Sequence, residues 1–209
     1  QMLRALMPDA LATKMRTAAR ETMGERREVT TLLWGTESLG LLSGGSTRQI
    51  DDEQLYLLSD EVMRVLADVI YRYEGTIDKF TGSSLVALFG VPVTHENNAE
   101  RAVRAALDIQ VALEPLIDNI KQQYAIDFQF GIGIHTGSVI VTQVDPQLHV
   151  NYTVVGNTID LAASLQAAAE PGTSLVSFDA YQRTHPLVAY SAQPPLDVKR
   201  ASRPIRVYR

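Results

Sequence analysis

The chain has 209 residues, 45% of them hydrophobic and 21% charged, with a formal net charge of −5 and no cysteine. That length fits one domain with a terminal extension and can bury a core without disulfides or a structural metal. The acidic balance argues against a nucleic-acid or anionic-membrane surface, and the lack of cysteine excludes disulfides, thiolate metal sites and cysteine nucleophiles.

No apolar run reaches the roughly 20 residues needed to span a bilayer, and the first residues lack the apolar stretch of a signal peptide. A cytoplasmic domain with no direct membrane contact is expected. Because the chain opens on Gln1, it reads as a fragment of a longer protein, with any membrane tether lying elsewhere.

Apolar residues at near-helical spacing over 2–23 predict a helical lead-in, broken at Pro8-Asp9, where Asp9 can cap a second helix. Glu28 to Trp34 is β-branched and apolar, a buried strand. Residues 35–50, rich in Gly, Ser and Thr, read as a loop. Leu55, Leu58, Val62, Leu66, Val69 and Ile70 predict a helix from Asp51 to Tyr73, ended by Gly75 as a C-terminal glycine. Thr76 to Phe80 and Leu85 to Phe89 form a hairpin around Gly82.

A long amphipathic helix is predicted from Asn97 to Tyr124. It is followed by a strand pair, Asp127 to His135 and Ser138 to Val144, turning at Thr136-Gly137. A short strand, Tyr152 to Val155, precedes a helix from Ile159 to Ala169. A strand from Thr173 to Ser177, a short helix from Asp179 to Arg183 and a final hairpin within Leu196 to Arg209 complete the chain. Hairpins mixed with helices predict an α+β sheet with helices on one face.

Seven segments in this order resemble class III adenylyl/guanylyl cyclase domains: Arg26 to Thr30, Gly75 to Phe80, Ala87 to Pro92, His95 to Ala106, Gly131 to Gly137, Tyr152 to Thr158, and Pro204 to Arg209. Their shared order, rather than any one segment, carries the resemblance. It implies a ferredoxin-like sandwich of the cyclase type, with a central, mostly antiparallel sheet and helices packed on it. It divides the chain into a helical lead-in, residues 1–25, and a cyclase homology domain, residues 26–209.

The resemblance also states what catalysis would require. The substrate's 3′-hydroxyl attacks its own α-phosphate, assisted by two metal ions. Family members hold those ions with an aspartate at the end of the first strand and another in the hairpin turn. Here these positions are Gly35 and Ser83. Glycine offers no ligand, and a neutral serine hydroxyl is a poor sole anchor for a hard divalent cation. The family's transition-state Asn and Arg, one helical turn apart, fall on Asp160 and Ser164. An acid at the first position reverses the sign of the interaction with a triphosphate, and loss of an arginine at such a site typically costs several orders of magnitude in rate. The resemblance therefore implies no catalytic residues, no metal ligands and no cofactor.

The family's adenine-recognising pair is matched by Lys79 and Thr153. These are vestigial purine-recognition positions, read either as residual adenine binding or as strand residues retained for packing. Trp34, where the family has a small residue, fills the core or an interface, or else its bulk closes the nucleotide cleft. Glu37 is a weaker candidate for a substitute carboxylate. Asp78 reads as structural, and His135 as a turn or strand-end residue.

The resulting expectation is a catalytically inactive cyclase homology domain. As a pseudoenzyme it acts as a dimerising regulatory module in intracellular signal transduction. Its partner is a second copy or another cyclase-like domain, and its candidate ligand is a nucleotide. The alternative is a weakly active or metal-rearranged adenylyl cyclase making cAMP from ATP.

Overall fold

The computed structural model describes residues 6–21, 25–36, 52–124, 127–143, 152–155, 157–198 and 203–209. In chain order its elements are α1 (Asp9–Glu21), β1 (Arg26–Gly35), α2 (Asp52–Arg72), β2 (Thr76–Phe80), β3 (Ser84–Phe89), α3 (Asn98–Tyr124) and β4 (Gly131–Gln143). They continue with β5 (Tyr152–Val155), α4 (Thr158–Ala168), β6 (Ser174–Ser177), α5 (Phe178–Thr184), β7 (Ala192–Leu196) and β8 (Ile205–Tyr208). The loop expected over 35–50 lies, from residue 37 onward, outside the described residues.

The strands form one sheet in the order β2-β3-β1-β4-β6-β8-β7, with β5 paired to β4 off this path. The pairings are antiparallel except for β4 with β6. This is the α+β sandwich expected from the sequence. At one edge β2 carries a bulge between Ile77 and Lys79. At the other, β7 contains Pro194 and Pro195, both exposed.

The central strand β1 explains where the core sits. Side chains alternate across a strand, and both faces of β1 are buried from Val29 onward. Leu32 and Trp34 join Ile132 and Ile134 of β4 beneath α2 and α3, in the main core with Val62, Leu66, Ile70, Ile109 and Leu113. α3 approaches closely because its buried stripe is alanine-rich: Ala99, Ala102, Ala105 and Ala106. Burying each larger aliphatic side chain contributes about 1.5–3 kcal/mol before chain entropy is counted. Leu33 points the other way, against Val86 and Ala162 of α4.

Helices therefore cover both faces of the sheet, not one face as the sequence suggested, and α4 is the element on the second face. Its packing depends on glycine: a Cβ on Gly133 would lie 2.0 Å from the Ala162 carbonyl oxygen.

Three further expectations are corrected. The predicted strand pair around Thr136-Gly137 is one continuous strand, β4, whose residues register against β1 from Arg26↔Ile140 to Gly35↔Gly131. The ladder runs straight through the expected turn, and Thr30 and Thr136, opposite one another there, bond through their hydroxyls at 2.8 Å. Gly75 does not terminate α2 in a left-handed conformation. Glu74 does, with φ 56°, while Gly75 is required because a Cβ there would meet Ile70 and Phe89 at 2.8 Å. The final hairpin begins earlier than predicted, at Ala192.

The lead-in helix α1 lies against the domain. Leu11 and Met15 are buried in the main core, and Lys14 Nζ donates to Glu74 Oε2 at 2.7 Å.

Candidate functional site

β1 ends at Gly35, whose Cα registers with Ser84 of β3 and Gly131 of β4. The next amide, Thr36 N, donates to the Ser83 carbonyl at 2.9 Å. The end of β1 and the β2–β3 turn are thus joined backbone to backbone, and the two positions where the resemblance places aspartates are neighbours in space. The turn itself is closed by Thr81 N donating to Ser84 O at 2.9 Å and by the Thr81 and Ser84 hydroxyls at 2.8 Å. Gly82 takes φ +85° there, the left-handed conformation that favours glycine. Ser83 is exposed and Gly35 is buried.

The alternation along β1 settles the two readings of Trp34. Its side chain is fully buried in the main core and stacks on Phe130 with centroids 6.1 Å apart. Gly35 faces α4. Trp34 therefore does not close a cleft on the Gly35 side. Among the described residues the indole Nε1 has no hydrogen-bond partner.

On the Gly35 side, Gln166 of α4 reaches across and donates Nε2 to the Gly35 carbonyl at 3.3 Å. Earlier on the same helix stand Asp160 and Ser164. The Ser164 hydroxyl donates to the Asp160 carbonyl at 2.9 Å, so it bonds back onto its own helix. Asp160 is exposed in the first turn, where a carboxylate complements the helix dipole.

Lys79 and Thr153 are not brought together within one chain. Lys79 is exposed on edge strand β2, in register with Val86. Thr153 registers with Thr142, and its side chain lies outside the described residues. Strands β3, β1 and β4 separate the two. Asp78, at the β2 bulge, is half-buried. Burial raises its pKa, partly opposed by the neighbouring Lys79 charge. Glu37 falls outside the described residues.

The donor set does not fit the family's metal pair. Gly35 supplies no side chain and Ser83 only a neutral hydroxyl. Among the described residues no cluster of three or more His, Asp or Glu side chains could hold an ion.

His135 differs from its sequence reading. It lies inside β4, buried, with Nδ1 2.9 Å from Ser177 Oγ. Burial lowers its pKa below 6.5. The Asp179 charge works against that shift and Arg183 adds to it.

A cavity of about 630 Å³ opens at the other end of β1 from Gly35. Its walls include Arg27, Glu28, Thr30, His95, Asn98 and Arg183. Its charges are largely engaged: Arg183 holds Glu28 at 2.5 and 3.1 Å, and Arg27 holds Glu25 at 3.1 Å.

Sequence reasoning missed Gln166, Glu74 and Ser177. A glutamine among the small residues of α4 was the only signal for the first. Nothing in the sequence marked the other two.

Residues 52–208 match the family model described as the adenylate and guanylate cyclase catalytic domain. Adenylate cyclase 1 of Rhizobium meliloti (strain 1021) is 28% identical over 153 residues, covering 73% of this chain. The chain spans 22% of that relative's length.

Among solved structures, the adenylyl cyclase CyaB from P. aeruginosa superimposes with a TM-score of 0.81 at 25% identity, covering 88% of this chain and 93% of that one. The guanylyl cyclase Cya2 gives the same TM-score and identity, covering 89% and 92%. The family match over most of the chain and the superpositions agree: this chain belongs to the adenylate and guanylate cyclase catalytic domain family.

Proposed function

We propose that this cyclase-family domain forms no cyclic nucleotide and serves as a dimerising regulatory module. The observation that carries the reading is the chemistry at the end of β1 and in the β2–β3 turn, where Gly35 and Ser83 stand at adjoining positions. Divalent cations that bind triphosphates need hard anionic oxygens, and these two residues provide none. α4 adds Asp160 and Ser164 where the resemblance calls for Asn and Arg. The exposed carboxylate of Asp160 repels a polyphosphate, and Ser164 supplies no positive charge. Each deficit alone lowers the rate steeply, and together they remove both activation of the nucleophile and stabilisation of the transferring phosphoryl group.

Dimerisation follows from the family resemblance, in which a second copy or another cyclase-like domain is the partner. The retained Lys79 makes adenine nucleotide the ligand to test.

The purified chain is incubated with ATP or GTP and with Mg²⁺ or Mn²⁺, and 3′,5′-cyclic product is measured by mass spectrometry. Sedimentation analysis and nucleotide titration run alongside. Product at the level of the protein-free blank is expected, together with a concentration-dependent dimer. Sustained turnover with Mn²⁺ would favour the weakly active adenylyl cyclase instead, and a chain monomeric at all concentrations would remove the dimerisation part.

A further inference from the structure

The space beside Gly35 is filled by the chain itself. An ideal Cβ built on Gly35 would lie 2.8 Å from Gln166 Cδ and 2.9 Å from both Nε2 and Oε1, closer than carbon approaches any of these atoms. Nε2 also donates to the Gly35 carbonyl at 3.3 Å. The helix carrying Gln166 is held close by the backbone. A Cβ on Gly131 would meet the Gln166 carbonyl oxygen at 2.8 Å, and one on Gly133 would meet the Gln166 amide nitrogen at 2.4 Å. The helix backbone thus has little room to retreat, and only the end of the Gln166 side chain can move aside from Gly35.

We infer that Gln166 has taken the volume beside Gly35: an aspartate restored there must first displace this neutral amide, so replacing Gly35 and Ser83 with aspartates alone gives a weakened cation site. This rests on the reading of the domain as catalytically inactive. The physical content is twofold. The amide occupies the volume an aspartate side chain would need. It also presents an N–H donor toward the β1 carbonyl, where a cation requires oxygen acceptors. Removing the Gln166 amide along with restoring the carboxylates therefore frees the site for a cation more fully than the carboxylates alone.

Four proteins test this: the wild type, Gln166→Ala, the Gly35→Asp/Ser83→Asp double variant, and the triple variant that adds Gln166→Ala. Mn²⁺ binding is read by electron paramagnetic resonance and calorimetry, with folding checked by circular dichroism. The expected result is no binding by the first two proteins and at least ten-fold tighter binding by the triple variant than by the double variant. Equal affinity of the double and triple variants would overturn the inference. Mn²⁺ binding by the wild type would instead overturn the reading of an inactive domain, so the two failures are distinct.

Should neither restored variant bind, a thermal cycle decides. Gly35→Ala is expected to lower Tm by about 2 °C in the wild type and by less than half of that on the Gln166→Ala background. Equal losses on both backgrounds would mean that Gln166 does not fill the site.

Discussion

His135 Nδ1 and Ser177 Oγ lie 2.9 Å apart across the parallel pairing of β4 and β6, both buried on the sheet face that carries α4. Ser177 also begins α5, accepting from Ala180 N at 3.5 Å. One imidazole thus contacts the residue that joins β6 to α5.

This contact predicts a pH dependence. Burial holds the folded-state pKa of His135 below 6.5, so the unfolded chain takes up a proton that the folded chain resists. Stability is full above about pH 6.5 and falls as pH drops from there toward the folded-state pKa. Tm measured between pH 7.5 and 5.5 is expected to decline in the wild type and to decline less in His135→Gln. Parallel curves would show that His135 does not contribute.

Glu74 offers a backbone test. It holds φ 56°, and its Oε2 lies 2.7 Å from both Lys14 Nζ and His95 Nε2. The Lys14 hydrogen bond is the main cause of its lowered pKa. Glu74→Ala removes the partners and keeps a Cβ in the left-handed region. Glu74→Gly removes the partners and relieves the backbone. Urea denaturation should find the glycine variant more stable than the alanine variant by about 1 kcal/mol.

Two glycines separate packing from conformation. Gly133→Ala drives a Cβ into backbone atoms at 2.0 and 2.4 Å and is expected to cost about 3 kcal/mol or more, with loss of soluble protein. Gly172 has φ +73°, and a Cβ added there would meet nothing within 4 Å, so Gly172→Ala should cost about 1 kcal/mol. Chemical denaturation of both variants checks the ordering.

Trp34 is the single tryptophan and reports directly on the core. Its emission should be blue-shifted, resistant to acrylamide and unchanged by added nucleotide. Trp34→Ala should cost about 3–5 kcal/mol. Trp34→Phe should cost much less, because the buried indole N–H it removes has no partner to lose among the described residues.

The sequence made some of this legible. Period-2 and period-3.6 patterns placed most elements within a residue or two, because β1, α2 and α3 bury whole stripes of apolar side chains. The same patterns did not say which face of β1 Trp34 would enter, since alternation fixes only that it shares a face with Leu32. Thr136-Gly137 resembled a turn, whereas the fold runs β4 straight through by pairing it along all of β1. The Gln166–Gly35 contact joins residues 131 apart, and a polar side chain on a short helix carries no local mark of such a partner. Glu74 in a left-handed conformation was equally hidden, since Gly75 beside it is the residue that chemistry favours there.

Consecutive prolines in β7 have a consequence for assembly. Pro194 and Pro195 lack amide hydrogens, and at the outermost strand they leave a gap in the ladder that a further strand would need to continue. At the opposite border, the bulge beside Asp78 and the exposed ammonium of Lys79 spoil the regular template in another way. Strand addition is therefore hindered at these two borders, β2 and β7, which disfavours fibril growth from either of them.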